Sequence, residues 1–184
     1  MSERTITVLE RIGIVVASLA VSIVLIGILS GFFTSRDQAG VRGINVPGLQ
    51  YRDLGHVHLK LGDVRPPYDS NPPTSGAHFV RPVKRDMVRL SDDQLLTALE
   101  AGDVVIFYGA RTPPPGLTQL VRKVAYQFTP ELAAAGQAII LAPRPRTAGL
   151  VGVSWGRLIR VGSPASPALR EFAKYWLGIG ANQH

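Results

Sequence analysis

The feature that most constrains this chain is an apolar run near its N-terminus. Residues 12–33, IGIVVASLAVSIVLIGILSGFF, contain no charged side chain over 22 positions. At about 1.5 Å per residue, a helix of this length reaches roughly 33 Å, the thickness of a bilayer core. The run is longer than the apolar region of a cleavable signal peptide, and no Ala-x-Ala cleavage site follows it. We therefore predict a retained transmembrane helix over residues 12–33, preceded by a short arm, residues 1–11.

The charges that flank this span determine its orientation only weakly. Arg4 and Arg11 precede it, and Arg36 and Arg42 follow it, so the positive-inside rule gives nearly equal counts. A short arm before a single apolar segment is typical of a signal-anchor. We therefore expect a single-pass protein of the inner (plasma) membrane, with its C-terminal domain on the periplasmic, extracytoplasmic side.

Small residues recur along the predicted span at helical spacing. They are Gly13, Ala17, Ala20, Gly27 and Gly31. On a helix these positions form one stripe, and small side chains let two helix backbones approach closely within lipid. The stripe predicts packing against a second copy or against other transmembrane protein subunits, although Gly and Ala are also common in spans that pack against nothing.

The excess of positive charge lies in the part of the chain that follows the span. The net charge is +7, and the two Arg and two Glu of residues 1–11 cancel. Anionic lipid and acidic protein partners are candidates for a basic domain beside a membrane, and a solvated basic face is the simpler interpretation. The arginines are scattered and no nucleic-acid motif is present, so we expect no nucleic-acid partner. The chain has no cysteine, which excludes disulfides and thiolate metal ligands.

Beyond the span, we predict that residues 34–50 form a Gly-containing tether and that residues 51–184 form one folded domain. Apolar periodicity and capping residues there predict alternating helices and strands. The predicted helices are 91–102, 117–128, 130–136 and 166–178, and the predicted strands are 103–109, 138–143 and 151–161, the last with a glycine bend. We therefore expect an α+β or α/β domain in which helices flank a small sheet.

Three of the four histidines are candidate metal ligands. In HVHLKL, residues 56–61, polar and apolar side chains alternate, which predicts a half-buried strand with His56 and His58 on one face. With His78 they would supply three imidazoles, a set suited to copper or zinc. The alternative is an exposed strand face, with His78 hydrogen-bonded inside its own loop.

The segment YDSNPPTSGAHF, residues 68–79, is the most distinctive part of the domain. Ser75 and His78 lie three positions apart, but a hydrolase would also need an orienting acid and an oxyanion hole, and only Asp69 is near in sequence. The chain contains no GxSxG, P-loop, GxGxxG or HExxH motif. We therefore expect a protein that is not an enzyme.

This loop resembles the signature Y-x-S-x-P-P-T-S-G-P-H-Y of an uncharacterised bacterial family, domain of unknown function 3105, with Ala77 in place of a proline. Residues 95–102 are similar to a second family motif, L-V-H-x-L-E-H-G, and APRP at 142–145 and SWGR at 154–157 also look familial. The resemblance covers about residues 51–177 and implies a membrane anchor followed by one extracytoplasmic domain. Thr97 and Ala101 replace both histidines of the second motif, so any ligand set that uses them is reduced here.

These observations favour two functions. The first is a non-enzymatic accessory subunit, anchored by its single span, which docks on a larger membrane protein complex such as a respiratory or photosynthetic electron transport assembly. It would need no cofactor, and the loop would act as a structural clasp through Tyr68, Pro72, Pro73, Thr74, Ser75 and Gly76. The alternative is a periplasmic copper- or zinc-binding domain that uses His56, His58 and His78.

Overall fold

The structure, a computed structural model, describes residues 46–183. The predicted arm, the predicted span with its small-residue stripe, and residues 34–45 of the tether lie outside the described residues. Within residues 46–183, no helix combines the length and the apolar character needed to cross a membrane.

The described residues form a five-stranded mixed sheet with flanking helices, which confirms the α+β prediction. The strands are β1 (Leu49–Gln50), β2 (Val104–Tyr108), β3 (Ile139–Pro143), β4 (Leu150–Ser154) and β5 (Arg157–Val161). The helices are α1 (Asp92–Ala101), α2 (Leu117–Val124), α3 (Pro130–Ala134) and α4 (Pro167–Trp176), followed by a 3-10 turn, Ala181–Gln183. The strand order is β1-β5-β4-β2-β3, in which only β2 and β3 run parallel.

Helices cover both faces of this sheet. Val105 and Phe107 of β2 belong to a core that includes Leu95 and Leu99 of α1, whereas Ile106 faces a second core shared with α2 and α4. All five residues of β2 are buried, as expected for a strand covered on both sides. This placement explains why the sequence of β2 is uninterrupted apolar rather than alternating.

Helix α1 begins and ends as its sequence predicts. Ser91 Oγ accepts a hydrogen bond from Gln94 N at 3.2 Å, and Gln94 Oε1 accepts one from Ser91 N at 3.1 Å, which together make a capping box. Gly102 ends the helix with φ of 115°, a left-handed conformation that glycine adopts without steric cost. These two signals fix the helix boundaries, and thereby place Glu100 in the last turn.

Two strand predictions differ from the structure. The predicted strand over 56–61 is not a member of the sheet, since its only ladder contact is an isolated bridge between His58 and His78. Its alternation does not reflect half-burial, because Leu61 and Val57 are 101% and 65% exposed. The predicted single strand over 151–161 is a hairpin of β4 and β5, with Gly156 at φ of 62° in the tight turn between them.

The folded part begins earlier than the predicted boundary at residue 51. Leu49 and Gln50, assigned by sequence to the tether, pair with Leu158 and Arg157 of β5. Pro47 O also accepts a hydrogen bond from Trp176 Nε1 at 2.8 Å. Backbone and side-chain contacts therefore tie this end of the tether to the domain.

The opposite edge of the sheet, β3, is covered by a loop that precedes α1. Met87 N donates to Leu141 O at 2.8 Å, and Asp86 Oδ1 accepts from Leu141 N at 2.7 Å. Met87 adopts φ of 58°, which lets a carboxylate and an amide from adjacent residues replace a strand partner. Burial is the main cause that raises the pKa of Asp86, and the hydrogen bonds from Leu141 N and Met87 N oppose it.

Candidate metal centre

Two histidines and one glutamate converge where the loops before α1 meet the end of that helix. His58 Nε2 lies 2.9 Å from Glu100 Oε2 and 3.1 Å from Oε1, and His78 Nε2 lies 3.1 Å from Glu100 Oε2. One ligand atom from each residue falls within 4.8 Å of the other two. We call this arrangement the His–Glu cluster.

Backbone pairing holds the two imidazoles opposite each other. Leu59 N donates to His78 O at 2.9 Å, and His78 N donates to Val57 O at 3.0 Å. Gly76 N donates to Gly55 O at 2.8 Å, which extends the contact between the two segments. The rings of His58 and His78 consequently lie with centroids 5.4 Å apart and planes at 75°.

The orientation of the His78 ring is fixed by its own loop. Its Nδ1 lies 3.0 Å from Gly76 O, a carbonyl that can only accept, so Nδ1 carries the proton. In the neutral imidazole Nε2 then holds a lone pair, and this atom is buried and points at the carboxylate of Glu100. A backbone carbonyl that fixes the tautomer in this way is the usual support of a metal-ligating histidine.

The contact between His78 and Glu100 requires a positive charge to be favourable. The two atoms approach to 3.1 Å without the geometry of a hydrogen bond, and with a neutral imidazole each would present a lone pair to the other. Either an imidazolium proton or a bound cation would remove this repulsion. A cation would also engage His58, whose Nε2 lies against both carboxylate oxygens.

The position of Glu100 also favours a positively charged partner for its carboxylate. It lies in the last turn of α1, where unpaired carbonyls give the helix its negative end, and that turn contains no basic residue. A carboxylate there is unfavourable unless a cationic partner offsets it. The three side chains of the cluster also differ in exposure: those of His78, Glu100 and His58 are 0%, 19% and 51% exposed.

The geometry is close to what a tetrahedral ion needs. Zinc bonds nitrogen at about 2.0–2.1 Å and carboxylate oxygen at about 2.0–2.2 Å, which places ligand atoms roughly 3.3 Å apart. The separations of 2.9 Å and 3.1 Å from the Glu100 oxygen to the two imidazole nitrogens lie near that spacing, and all three ligand atoms lie within 4.8 Å of one another. The set offers two nitrogens and one carboxylate, and His58 leaves a side of the cluster open to solvent.

The structure brings together His58 and His78 of the three predicted histidines and places His56 elsewhere. The ring of His56 lies edge-on to Trp155, with centroids 6.2 Å apart. Glu100 is the ligand candidate that sequence reasoning missed. Its signal in the sequence is its position in the second motif, between the two sites where Thr97 and Ala101 replace histidines.

The two residues that replace those histidines do not join the cluster. Thr97 Oγ1 donates to Asp93 O at 2.8 Å and accepts from Arg81 N at 2.9 Å, so its hydroxyl helps to hold the loop before α1. Ala101 is exposed and has no donor or acceptor in its side chain. Glu100 is therefore the residue by which α1 reaches the two histidines.

The segment Tyr68–His78, which we call the PPTSG loop, is held by buried polar contacts. Residues 72–76 are buried. Ser75 Oγ donates to Arg52 O at 3.2 Å and accepts from Leu54 N at 3.0 Å, and Tyr68 Oη donates to Ala77 O at 3.0 Å. The Ser75 hydroxyl hydrogen-bonds with two backbone groups and not with His78. It therefore lacks the hydrogen bond to a histidine that a catalytic serine needs.

The remaining residues of the loop complete its fixed shape. Thr74 N donates to Ser70 Oγ at 3.1 Å, and Thr74 O accepts from Gly156 N at 3.0 Å. Gly76 adopts φ of 126°, and a Cβ there would lie 3.0 Å from the Tyr68 ring. Burial is the main cause that raises the pKa of Tyr68, which keeps its hydroxyl a donor. The Gly76 carbonyl that orients His78 is therefore rigidly supported.

The fold and the cluster define a small α+β domain in which a proline-rich loop and a helix end present two imidazoles and a carboxylate. The chain belongs to the family described as Protein of unknown function (DUF3105), whose model matches residues 63–180. This match confirms the resemblance noted from the PPTSG loop. It includes His78 and Glu100, whereas His58 precedes it. Searches of the curated proteins and of the solved structures found no match.

Proposed function

We propose that this domain binds a divalent transition-metal ion, Zn²⁺ or Cu²⁺, at the His–Glu cluster. The observation that carries the proposal is the buried His78 Nε2, which points at a carboxylate oxygen 3.1 Å away without a hydrogen bond between them. A cation between the two atoms would satisfy both. His58 would supply the third ligand from the exposed side.

The donor types support these two ions over others. Imidazole suits zinc and copper, whereas Mg²⁺ and Ca²⁺ prefer sites made entirely of oxygen. Cu⁺ favours thiolate and thioether ligands, and the chain has no cysteine. Two nitrogens and one carboxylate therefore favour Zn²⁺ or Cu²⁺, with the remaining position left to water or to an outside ligand.

The exposure of the cluster supports binding that is reversible. Structural zinc sites usually close the ion within four protein ligands. Here only three residues converge, and the side chain of His58 is half-exposed. An ion held this way can enter and leave past His58, so the proposed role is uptake or delivery of the metal by a non-enzymatic domain.

The test is calorimetric titration of Zn²⁺ and Cu²⁺ into the full-length protein in neutral detergent, after removal of metals with a chelator. We expect one ion per chain, and a loss of at least about 10-fold in affinity for Glu100→Gln and for His58→Ala, since changing even an outer-shell partner of a ligand costs that much. Neither change leaves a cavity in the hydrophobic core, and thermal unfolding of the metal-free variants checks that each is folded. His56→Ala is the matched control, because His56 lies against Trp155 rather than in the cluster.

Two results would overturn the proposal. One is an unchanged affinity in Glu100→Gln and His58→Ala. The other is an equal loss in His56→Ala, which would mean that exposed histidines bind the ions without a defined centre.

The role as an accessory subunit is a second proposal, and one observation within the described residues favours it. Leu61, Val64 and Val57 are 101%, 90% and 65% exposed, and the latter two line one groove of about 450 Å³. Large apolar side chains grouped on a surface are typical of contact with another protein. The proposed partners are transmembrane subunits on the periplasmic side of the inner membrane.

Mild-detergent extraction of the tagged protein, followed by native sizing, tests this second role. A stoichiometric complex that Leu61→Ser and Val64→Ser together weaken would support it. Replacing Gly27 and Gly31 with leucine tests separately whether the predicted span contributes. A lone monomer or dimer at native expression would contradict the subunit role, and would leave the metal proposal standing.

A further inference from the structure

A groove on the other side of the PPTSG loop collects positive charge that the proposed metal centre does not use. It has a volume of about 1140 Å³ and lies between that loop, the start of α1 and the residues after β3. Its lining includes four arginines and one acid, Asp92. The arginines are Arg89, Arg144, Arg146 and Arg160. We call it the arginine groove.

Arg144 is held in a defined position at the floor of the groove. It directly follows β3, and its N donates to Tyr108 O at 2.8 Å, which continues the β2–β3 pairing by one residue. Its guanidinium donates to Asp92 Oδ1 at 3.1 Å and to Asn71 Oδ1 at 2.8 Å, and it lies over the Phe107 ring at 5.3 Å. A guanidinium has five N–H donors, so three remain for a ligand.

Asn71 joins this arginine to a second one from a distant strand. While its side chain accepts from Arg144, its backbone carbonyl accepts from the Arg160 guanidinium at 2.7 Å. One loop residue thus holds two like charges side by side, against their mutual repulsion. Only Asp92 offsets them among the lining residues, and it is already paired with Arg144.

The rim of the groove adds two arginines that are not engaged. Arg89 and Arg146 are exposed, and neither forms a hydrogen bond or ion pair with another residue of the described range 46–183. Four guanidinium groups against one carboxylate leave an excess of three positive charges at the lining. An anion with at least two negative charges would match this excess.

We propose that the arginine groove binds a phosphorylated anion that carries two or more negative charges. The planar fork of arginine fits phosphate oxygens with paired hydrogen bonds, and here Asn71 and Phe107 orient the fork of Arg144 in advance. The volume admits a diphosphate or the head group of an anionic lipid. The two sources share the same phosphate chemistry.

The experiment is calorimetric titration of the full-length protein in neutral detergent with two soluble probes, inorganic pyrophosphate and dihexanoyl phosphatidic acid below its micellar concentration. Metal is first removed with EDTA and the EDTA is then dialysed away, so that neither metal at the His–Glu cluster nor the anionic chelator contributes. We expect saturable binding of at least one probe, weakened about tenfold by Arg144→Gln and by the double change Arg89→Gln with Arg146→Gln. The double change alters only rim side chains, so it remains informative if Arg144→Gln disturbs the fold.

Arg122→Gln is the matched control, since Arg122 is exposed on α2 and does not line the arginine groove. Tighter binding of pyrophosphate supports a soluble phosphate, and tighter binding of the phosphatidic acid supports a lipid head group. Three outcomes overturn the proposal. They are no saturable binding of either probe, an equal loss in Arg122→Gln, and equally tight binding of a hexaglutamate peptide.

Discussion

Asp103, between α1 and β2, should make the stability of this domain depend on pH. It is fully buried, and its Oδ1 accepts a hydrogen bond from Ala138 N at 2.8 Å. Its Oδ2 has no hydrogen-bond partner among the described residues. Burial raises the pKa of Asp103 from 3.8 to about 8, because the single hydrogen bond cannot replace the hydration that a carboxylate loses.

The sign of the effect follows from the two pKa values. Below pH 4 the carboxyl is protonated in both the folded and the unfolded chain, and its full contribution to stability is present. Between pH 4 and pH 8 the unfolded chain releases this proton while the folded chain retains it, so stability falls as pH rises. The slope is about 1.4 kcal/mol per pH unit, and the total is on the order of 5 kcal/mol. Above pH 8 the loss is complete and the slope disappears.

Asp103→Asn removes this titration while it keeps an oxygen to accept from Ala138 N. Urea unfolding of the full-length protein and of the variant, with EDTA at pH 5, 6, 7 and 8, gives the difference in unfolding free energy between them. We expect that difference to shift in favour of the variant by about 1.4 kcal/mol per pH unit. The unpartnered amide of the new side chain adds an offset that is the same at every pH.

The exposed Asp69 provides the control, because Asp69→Asn removes a carboxylate of the same type outside the core. An equal slope with pH in Asp69→Asn would mean that the slope does not come from the buried carboxyl. A constant difference for Asp103→Asn would refute the reasoning, since it would mean that Asp103 is ionised in the folded domain at neutral pH.

Two further predictions concern the ends of helices, and urea unfolding measures both. Ser91→Ala should destabilise the domain by about 1 kcal/mol because it removes the cap of α1, and an unchanged midpoint would contradict this role. Gly136→Ala should cost at least about 2 kcal/mol, because its φ is 68° and a Cβ would lie 1.9 Å from a carbonyl oxygen at the end of α1. Gly162→Ala is its control, since a Cβ there meets no atom within 4 Å, and equal losses at the two positions would contradict the steric argument.

Local signals in the sequence explain which parts of the fold were predictable. The capping residues around α1 and the apolar run of β2 each lie within a few positions of the element they define. The hairpin of β4 and β5 was not predictable, because Trp155 in its turn is itself fully buried. The apolar pattern therefore continues through the turn and predicts one continuous strand. Residues 56–61 were wrongly predicted to be a half-buried strand, because their alternating pattern belongs to an extended segment outside the sheet.

The candidate site was predictable only in part, for a related reason. His58 and His78 were predictable because histidine is a common metal ligand, and a short backbone bridge brings them together. Glu100 reaches His58 across 42 positions of the sequence, through the packing of a helix end against a loop. A contact of that kind leaves no periodic signal, so neither the inclusion of Glu100 nor the separate position of His56 follows from spacing.

The loop that covers β3 has a consequence for how copies of this chain behave when they are crowded. An exposed edge strand is a template for strand exchange and aggregation between molecules. At the centre of β3 both backbone groups of Leu141 are already engaged by Asp86 and Met87, and Pro143 has no N–H to offer. The other edge, β1, is only two residues long. If the predicted span confines many copies to one membrane surface, these two edges allow the domains to collide without joining their sheets.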